Sequence, residues 1–208
     1  MPEPRERVPE TPVQWASPGE FGQPAATDIR TGVATPLLAG FSIALLASVG
    51  QGPGSFRWAG ATIFFLLLAG GFFTLSLQVG FRSRSKLYSR DEALSWGRIN
   101  QLPDDVDERV RAEVQRRHVA LWRRSQRFVQ ISYNAGIATL AFALSLAAAP
   151  PTRYGDDPLT GAEQGWRWGA ATLGLLFTIF QVGWIVHDEF RHRKRLREAR
   201  QRTGGVRP

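Results

Sequence analysis

A chain of 208 residues that is 43% hydrophobic, lacks cysteine and carries a formal charge of +8 excludes several chemistries before any motif is sought. Without thiols there are no disulfides, thiolate nucleophiles, iron–sulfur clusters or thiolate metal sites. Arginine supplies 24 of the 26 basic residues, an actinobacterial-like, high-GC usage, and no nucleic-acid reading motif accompanies the charge, so DNA and RNA are not expected as partners.

The first thirty residues include Pro2, Pro4, Pro9, Pro12 and Pro18 interleaved with charges. They offer too little apolar surface to offset the entropy of ordering and predict a disordered arm over 1–30. No short basic n-region precedes the first apolar run, so a cleavable signal peptide is not expected and the first span should stay as an anchor.

Four apolar blocks follow, at 33–49, 58–80, 129–149 and 168–186, and none contains Asp, Glu, Lys, Arg or His. A helix rising ~1.5 Å per residue crosses ~30 Å of hydrocarbon in about 20 residues, with ~17 as a lower limit, so each block is a candidate membrane span. The first is the shortest and carries Pro36 near its start, where a missing N–H costs the helix no hydrogen bond.

Arg57 alone marks the turn after the first block, and Arg153 and Arg167 lie between the third and fourth; the other 23 of the 26 basic residues fall on the opposite side. The positive-inside rule then predicts a bacterial inner-membrane protein with both termini and the central segment cytoplasmic. Phe56, Trp58, Trp166 and Trp168 fit an outer aromatic belt, and Phe81, Phe128, Tyr133 and Trp184 an inner one. The expected organisation is an all-α, four-span protein: transmembrane hairpins over 31–81 and 128–187, the second with an outer loop at 150–167, a cytoplasmic helical insertion over 82–127, and a basic tail over 188–208.

Within the insertion, Ser89 and Glu92 form a capping box that starts a short helix through Leu94, Trp96 and Ile99, stopping before Pro103. Asp104 or Asp105 can cap a second helix, with Asp107 and Glu108 in its first turn and arginines accumulating towards its other end. Val106, Val110, Val114, Leu121 and Phe128 share one face of it, interrupted by Arg117. That stripe needs a cover, and three are open: the membrane surface, the upstream short helix, or the same helix of another subunit. Its spacing is not that of a clean coiled-coil seam. Nothing breaks the pattern between this helix and the third block, so the two are expected to form one rod.

The hairpins resemble each other. Arg57-Trp58 opens the second span and Arg167-Trp168 the fourth, and Gln-Val-Gly-aromatic runs recur at 78–81 and 181–184. Duplication as a parallel two-helix repeat and convergent use of interface aromatics both account for this. Gly40, Ala44 and Ser48, Ala141, Ser145 and Ala149, and Ala170 with Gly174 form small-residue ridges suited to close helix approach. Gln78, Asn134 and Gln181 are the polar candidates for interhelical hydrogen bonds or a pore lining. Arg191, Arg193, Lys194, Arg195 and Arg197 suit anionic lipid headgroups.

Intramembrane chemistry normally advertises itself by ionisable residues at depth, and the blocks contain none. His187 and His192 stand five apart, ~140° around a helix, a poor start for a metal site beside Asp188 and Glu189. No catalytic residue, metal or cofactor is therefore expected. The composition favours a non-catalytic scaffold or anchoring subunit whose central helices contact a partner or self-associate. A homo-oligomeric channel or pore-forming effector is the alternative.

Overall fold

The computed structural model describes residues 13–16, 23–96, 104–151 and 160–203, and every regular element among them is helical. In chain order these are α1 (Gln23–Ile29), a π-helical turn (Arg30–Ala34), α2 (Thr35–Gln51), a 3-10 turn (Pro53–Ser55), α3 (Ala59–Arg84), α4 (Arg90–Ser95), α5 (Asp104–Ala148) and α6 (Gly161–Thr203). Four stretches are long and apolar enough to cross a membrane: Ala25–Gln51, Ala59–Arg84, Val106–Ala148 and Gly161–His187. Helix is the expected answer for such runs, because in hydrocarbon each backbone donor and acceptor must be satisfied within the segment.

The first helical run begins at Gln23, inside the stretch expected to be disordered, and Pro36 consequently sits well inside it. The π turn accommodates this. Proline has no N–H to give and its ring crowds the carbonyl four residues back. The chain widens over Arg30–Ala34, where the Thr35 N–H donates to the Arg30 carbonyl and its hydroxyl donates to the same oxygen at 2.8 Å. Residues 13–16 lie against Arg90 of α4 and Glu108 and Gln115 of α5.

The long helices stand in a row. α3 packs on both α2 and α5, α5 packs on both α3 and α6, and among the described elements α6 packs on no helix but α5. The buried apolar cluster, Val49, Leu66, Ala69, Phe73, Leu140 and Ala143, accordingly draws on α2, α3 and α5 and not on α6. Phe73 is fully buried beside the Tyr133 ring, at 6.1 Å between centroids, and lies against Gly136, where an added Cβ would stand 2.7 Å from its ring. Close approach recurs between Gly80 and Thr31, where the same construction gives 2.7 Å, and between Gly174 and the Ser145 side chain.

Of the small-residue ridge Ala141, Ser145 and Ala149, the last two are buried, and Ser145 is where α6 meets α5. On α6 the seam runs through Ala171 and Gly174 while Ala170 is exposed. Gly40, Ala44 and Ser48 all face outward, and the run packs instead through Thr31 of the π turn and Thr35, Ser42 and Val49 of α2. Ser42 and Thr35 bury well because their hydroxyls bond to carbonyls of their own helical run.

At the end of the row where α3 and α6 begin, the two Arg-Trp pairs meet. Trp58 and Trp168 contact edge to face at 6.5 Å, and the Arg57 guanidinium lies over both rings, at 5.3 and 5.5 Å. This clip links the start of α6 to residues outside α5.

Candidate interaction site

α5 is a single helix of 45 residues, about 67 Å long at ~1.5 Å per residue. Its carboxy-terminal half packs among the apolar helices, and its amino-terminal half extends past them carrying Asp, Glu and Arg. The two sides of this polar half differ sharply in what they touch.

One side is consumed by the chain itself and carries many polar groups: Asp107, Arg111, Gln115, Val119, Trp122 and Gln126 are buried at intervals of three or four residues, close to one helical turn. Arg111 holds it together. Its Nε donates to Asp107 Oδ2 at 2.8 Å, and Nη1 donates to the Trp96 carbonyl at 2.7 Å and to the Ala93 carbonyl. Those carbonyls belong to the end of α4, where a helix lacks internal donors, so the guanidinium caps α4 and neutralises Asp107 together. α4 is started by Ser89, whose Oγ accepts from the Glu92 N–H at 3.1 Å, as the capping box predicts. Before it, the Tyr88 hydroxyl meets His118 Nδ1 at 3.0 Å, and burial pushes the Tyr88 phenol above its ordinary value.

Gln115, 3% exposed, binds residues 13–16: its Oε1 accepts from the Ala16 N–H at 2.9 Å and its Nε2 donates to the Ala16 carbonyl at 3.2 Å. The Trp15 indole donates to Glu108 Oε1 at 3.3 Å, on the same carboxylate that Arg90 pairs with at 2.8 Å.

The other side has no cover among the described residues. Val106, Val110, Val114, Leu121 and Phe128 are all exposed, 37–48% each, whereas Ala112, Val119 and Trp122, apolar residues of the same half, are buried on the packed side. The upstream helix, one of the three covers expected for the stripe, packs on the polar side instead. Arg117 within the stripe pairs with Glu113 at 3.1 Å, and Arg124 is exposed on the same side.

Between the polar half and the apolar row lies a junction that pattern reading passed over. The Arg30 Nη2 donates to Gln126 Oε1 at 3.5 Å, Gln126 Nε2 donates to Ser83 Oγ at 2.9 Å, and Ser83 donates to the Gly80 carbonyl at 2.8 Å. The Arg30 guanidinium lies over the Tyr133 ring at 5.9 Å, and Asp28 pairs with Arg84 at 3.2 Å on the outside. The π turn, α3 and α5 are thus cross-linked by polar groups at one level, and the Ser76 hydroxyl adds a bond to the Val129 carbonyl at 3.1 Å.

Gln78, Asn134 and Gln181 are not gathered into one site. Gln78 is exposed on α3, off the face that carries Leu66, Phe73 and Ser76. Asn134 and Gln181 are half-buried on α5 and α6, within about a turn of each other in the antiparallel register that the Ser145–Gly174 contact sets. In the tail, Arg191 and Lys194 are exposed on α6; the side chains of Arg193, Arg195 and Arg197 lie outside the described residues. No family model matches the chain, and no curated protein or solved structure is significantly similar to it.

Arg111, Gln115, Trp15 and Arg30 escaped the sequence reading because each looks like a solvent residue. A usable signal did exist. Asp107 and Arg111 are four apart, and Gln115, Trp122 and Gln126 continue on the same side, so the series marks a packed polar face once Trp122, 1% exposed, is taken as its centre.

Proposed function

We propose that the protein is a non-catalytic scaffold or anchoring subunit of the bacterial inner membrane, with two transmembrane hairpins, and both termini and the α4–α5 insertion on the cytoplasmic side. Its exposed valine stripe on α5 is the surface that takes a partner protein. The observation that carries this is the division of labour on α5: the polar side is filled by α4 and residues 13–16, while the apolar side has no cover among the described residues. In this reading α5 rises out of the membrane row as an unbroken helix, which favours a protein over the bilayer surface as the cover.

The partner's chemistry follows from the arginines. Copies of α5 side by side in one membrane run parallel and align Arg117 and Arg124 with themselves, a like-charge arrangement that disfavours self-association through this face. An amphipathic helix with carboxylates flanking its apolar residues suits it better. Site-specific photocrosslinking in native membranes tests this. A photoreactive residue at Val114 or Leu121 should yield one discrete heteromeric adduct, lost when Val110, Val114 and Leu121 are replaced by serine, with membrane insertion unchanged. A ladder of self-adducts would redirect the reading to an oligomer, and no adduct at either position would overturn it.

The channel reading rests on a different feature. Four helices in a row enclose no path, but the free edges at α2 and α6 would be closed by a ring of copies. Light scattering on the detergent-extracted protein decides it: a discrete homo-oligomer sends the work to liposome conductance, and a monomer or dimer excludes a ring.

A further inference from the structure

We propose that the groove between α4 and α5 is a docking site for an extended peptide segment carrying a tryptophan followed by a small residue, and that this chain's own Trp15-Ala16 is its resident, displaceable occupant.

Recognition at the groove has two parts. Gln115 reads main chain: its amide accepts from and donates to the two backbone groups of Ala16, at 2.9 and 3.2 Å, as a neighbouring β-strand would. It also donates to the Tyr88 carbonyl at 3.4 Å, which fixes the amide's orientation. The aromatic part is read by an ion pair. Glu108 Oε1 accepts from both the Trp15 indole and Arg90, and the Arg90 guanidinium lies over the indole ring at 5.9 Å. A phenyl ring could stack but could not donate to Glu108.

Two features make the occupant exchangeable and not merely structural. Its hold is modest: two neutral amide bonds to Gln115 and one indole bond to an already paired Glu108, with nothing contributed to the apolar cluster of α2, α3 and α5. When the strap leaves, Gln115 keeps the Tyr88 carbonyl at 3.4 Å and its freed amide groups turn to water, oriented to take another main-chain segment. A lightly held strap over a pre-oriented amide exchanges with a partner segment of the same chemistry. The dock lies on the side of α5 away from the valine stripe, so it does not depend on what the stripe binds.

The test uses the full-length protein in detergent and a fluorescently labelled peptide of residues 10–19, read by anisotropy. The Trp15→Ala chain should bind the peptide at least about ten-fold more tightly than the wild type, the order expected when a tethered competitor at millimolar effective concentration is weakened. Replacing the peptide's tryptophan by alanine should abolish binding. Equal affinity for the two chains, or no binding to a Trp15→Ala chain that elutes as folded protein, would overturn the proposal. A second measurement avoids any dependence on that variant's folding. In wild-type protein labelled with fluorotryptophan, excess unlabelled peptide should move one indole fluorine resonance, that of Trp15, towards its solvent-exposed position. If every resonance stays in place, the strap is a fixed structural element and no dock exists.

Discussion

Gly136→Ala is the sharpest perturbation the packing offers. One added methyl on α5 would stand 2.7 Å from the ring of Phe73, which is wholly buried and hemmed by Tyr133. Neither ring nor backbone can yield cheaply, and overpacking of this kind costs about 1–3 kcal/mol. Against that stands the gain of replacing a helical glycine by alanine, about 0.5–1 kcal/mol. The net loss is then between about 0 and 2.5 kcal/mol, and about 1–3 kcal/mol relative to a glycine-to-alanine change in open space, or several degrees in Tm at roughly 2–4 °C per kcal/mol for chains of this size. Gly40→Ala is the matched control, since nothing lies within 4 Å of the Cβ it would add, and it should be neutral or slightly stabilising. Thermal unfolding of both variants in one detergent, followed by tryptophan fluorescence, makes the comparison. Phe73→Leu added to Gly136→Ala should recover part of the loss, with a coupling on the order of 0.5–3 kcal/mol. If Gly136→Ala melts with Gly40→Ala, or the double variant is additive, the α3–α5 contact is not as close as described.

Arg111→Met leaves the Asp107 carboxylate buried without its cation and uncaps α4; removing one partner of a buried pair costs about 3–5 kcal/mol, so hydrogen exchange over 88–96 should rise to that of an unstructured loop, and unchanged protection would refute the capping role. Arg57→Ala removes two cation–π contacts worth about 0.5–1 kcal/mol each at an exposed position, and the one lost on Trp168 should speed exchange in the first turns of α6 by about two- to five-fold while leaving α3 beyond its first turn unaffected. Because burial raises the Tyr88 pKa above 10.0, the folded state keeps its phenolic proton where the unfolded chain has lost it. The contribution is whole below pH 10 and falls as pH rises through the shifted value, so α4 should loosen on alkaline titration in the wild type and lose that dependence in Tyr88→Phe.

The parts of this architecture that rest on one-dimensional patterns were readable from the sequence. Runs without charge declare four helices of spanning length, Ser89 and Glu92 declare the start of α4, and the absence of any breaker between Asp104 and Ala148 declares one continuous helix. What escaped depends on pairings across the fold. Nothing local says that Arg111 will find two carbonyls of α4, and so nothing local says that the polar side of α5 packs while the valine side stays exposed. The early start of the first helical run was hidden because Pro36 reads as a beginning unless a π turn is allowed for. Gly40, Ala44 and Ser48 satisfied a spacing rule that Thr35, Ser42 and Val49 fulfilled in practice, since short hydroxyl side chains bonded to their own helix pack nearly as closely as glycine.

A helix with a single protein neighbour is constrained along a line. The charge-free part of the stretch Gly161–His187 is 168–186, 19 residues, about 28 Å at ~1.5 Å per residue and close to the ~30 Å of hydrocarbon. A bilayer thinner than that is met by leaning. α3, gripped from two sides, cannot lean without opening the apolar cluster, whereas α6 can roll about the Ser145–Gly174 contact with the Arg57 clip as its pivot. If the four stretches cross a bilayer, α6 is the one whose angle is expected to follow acyl-chain length.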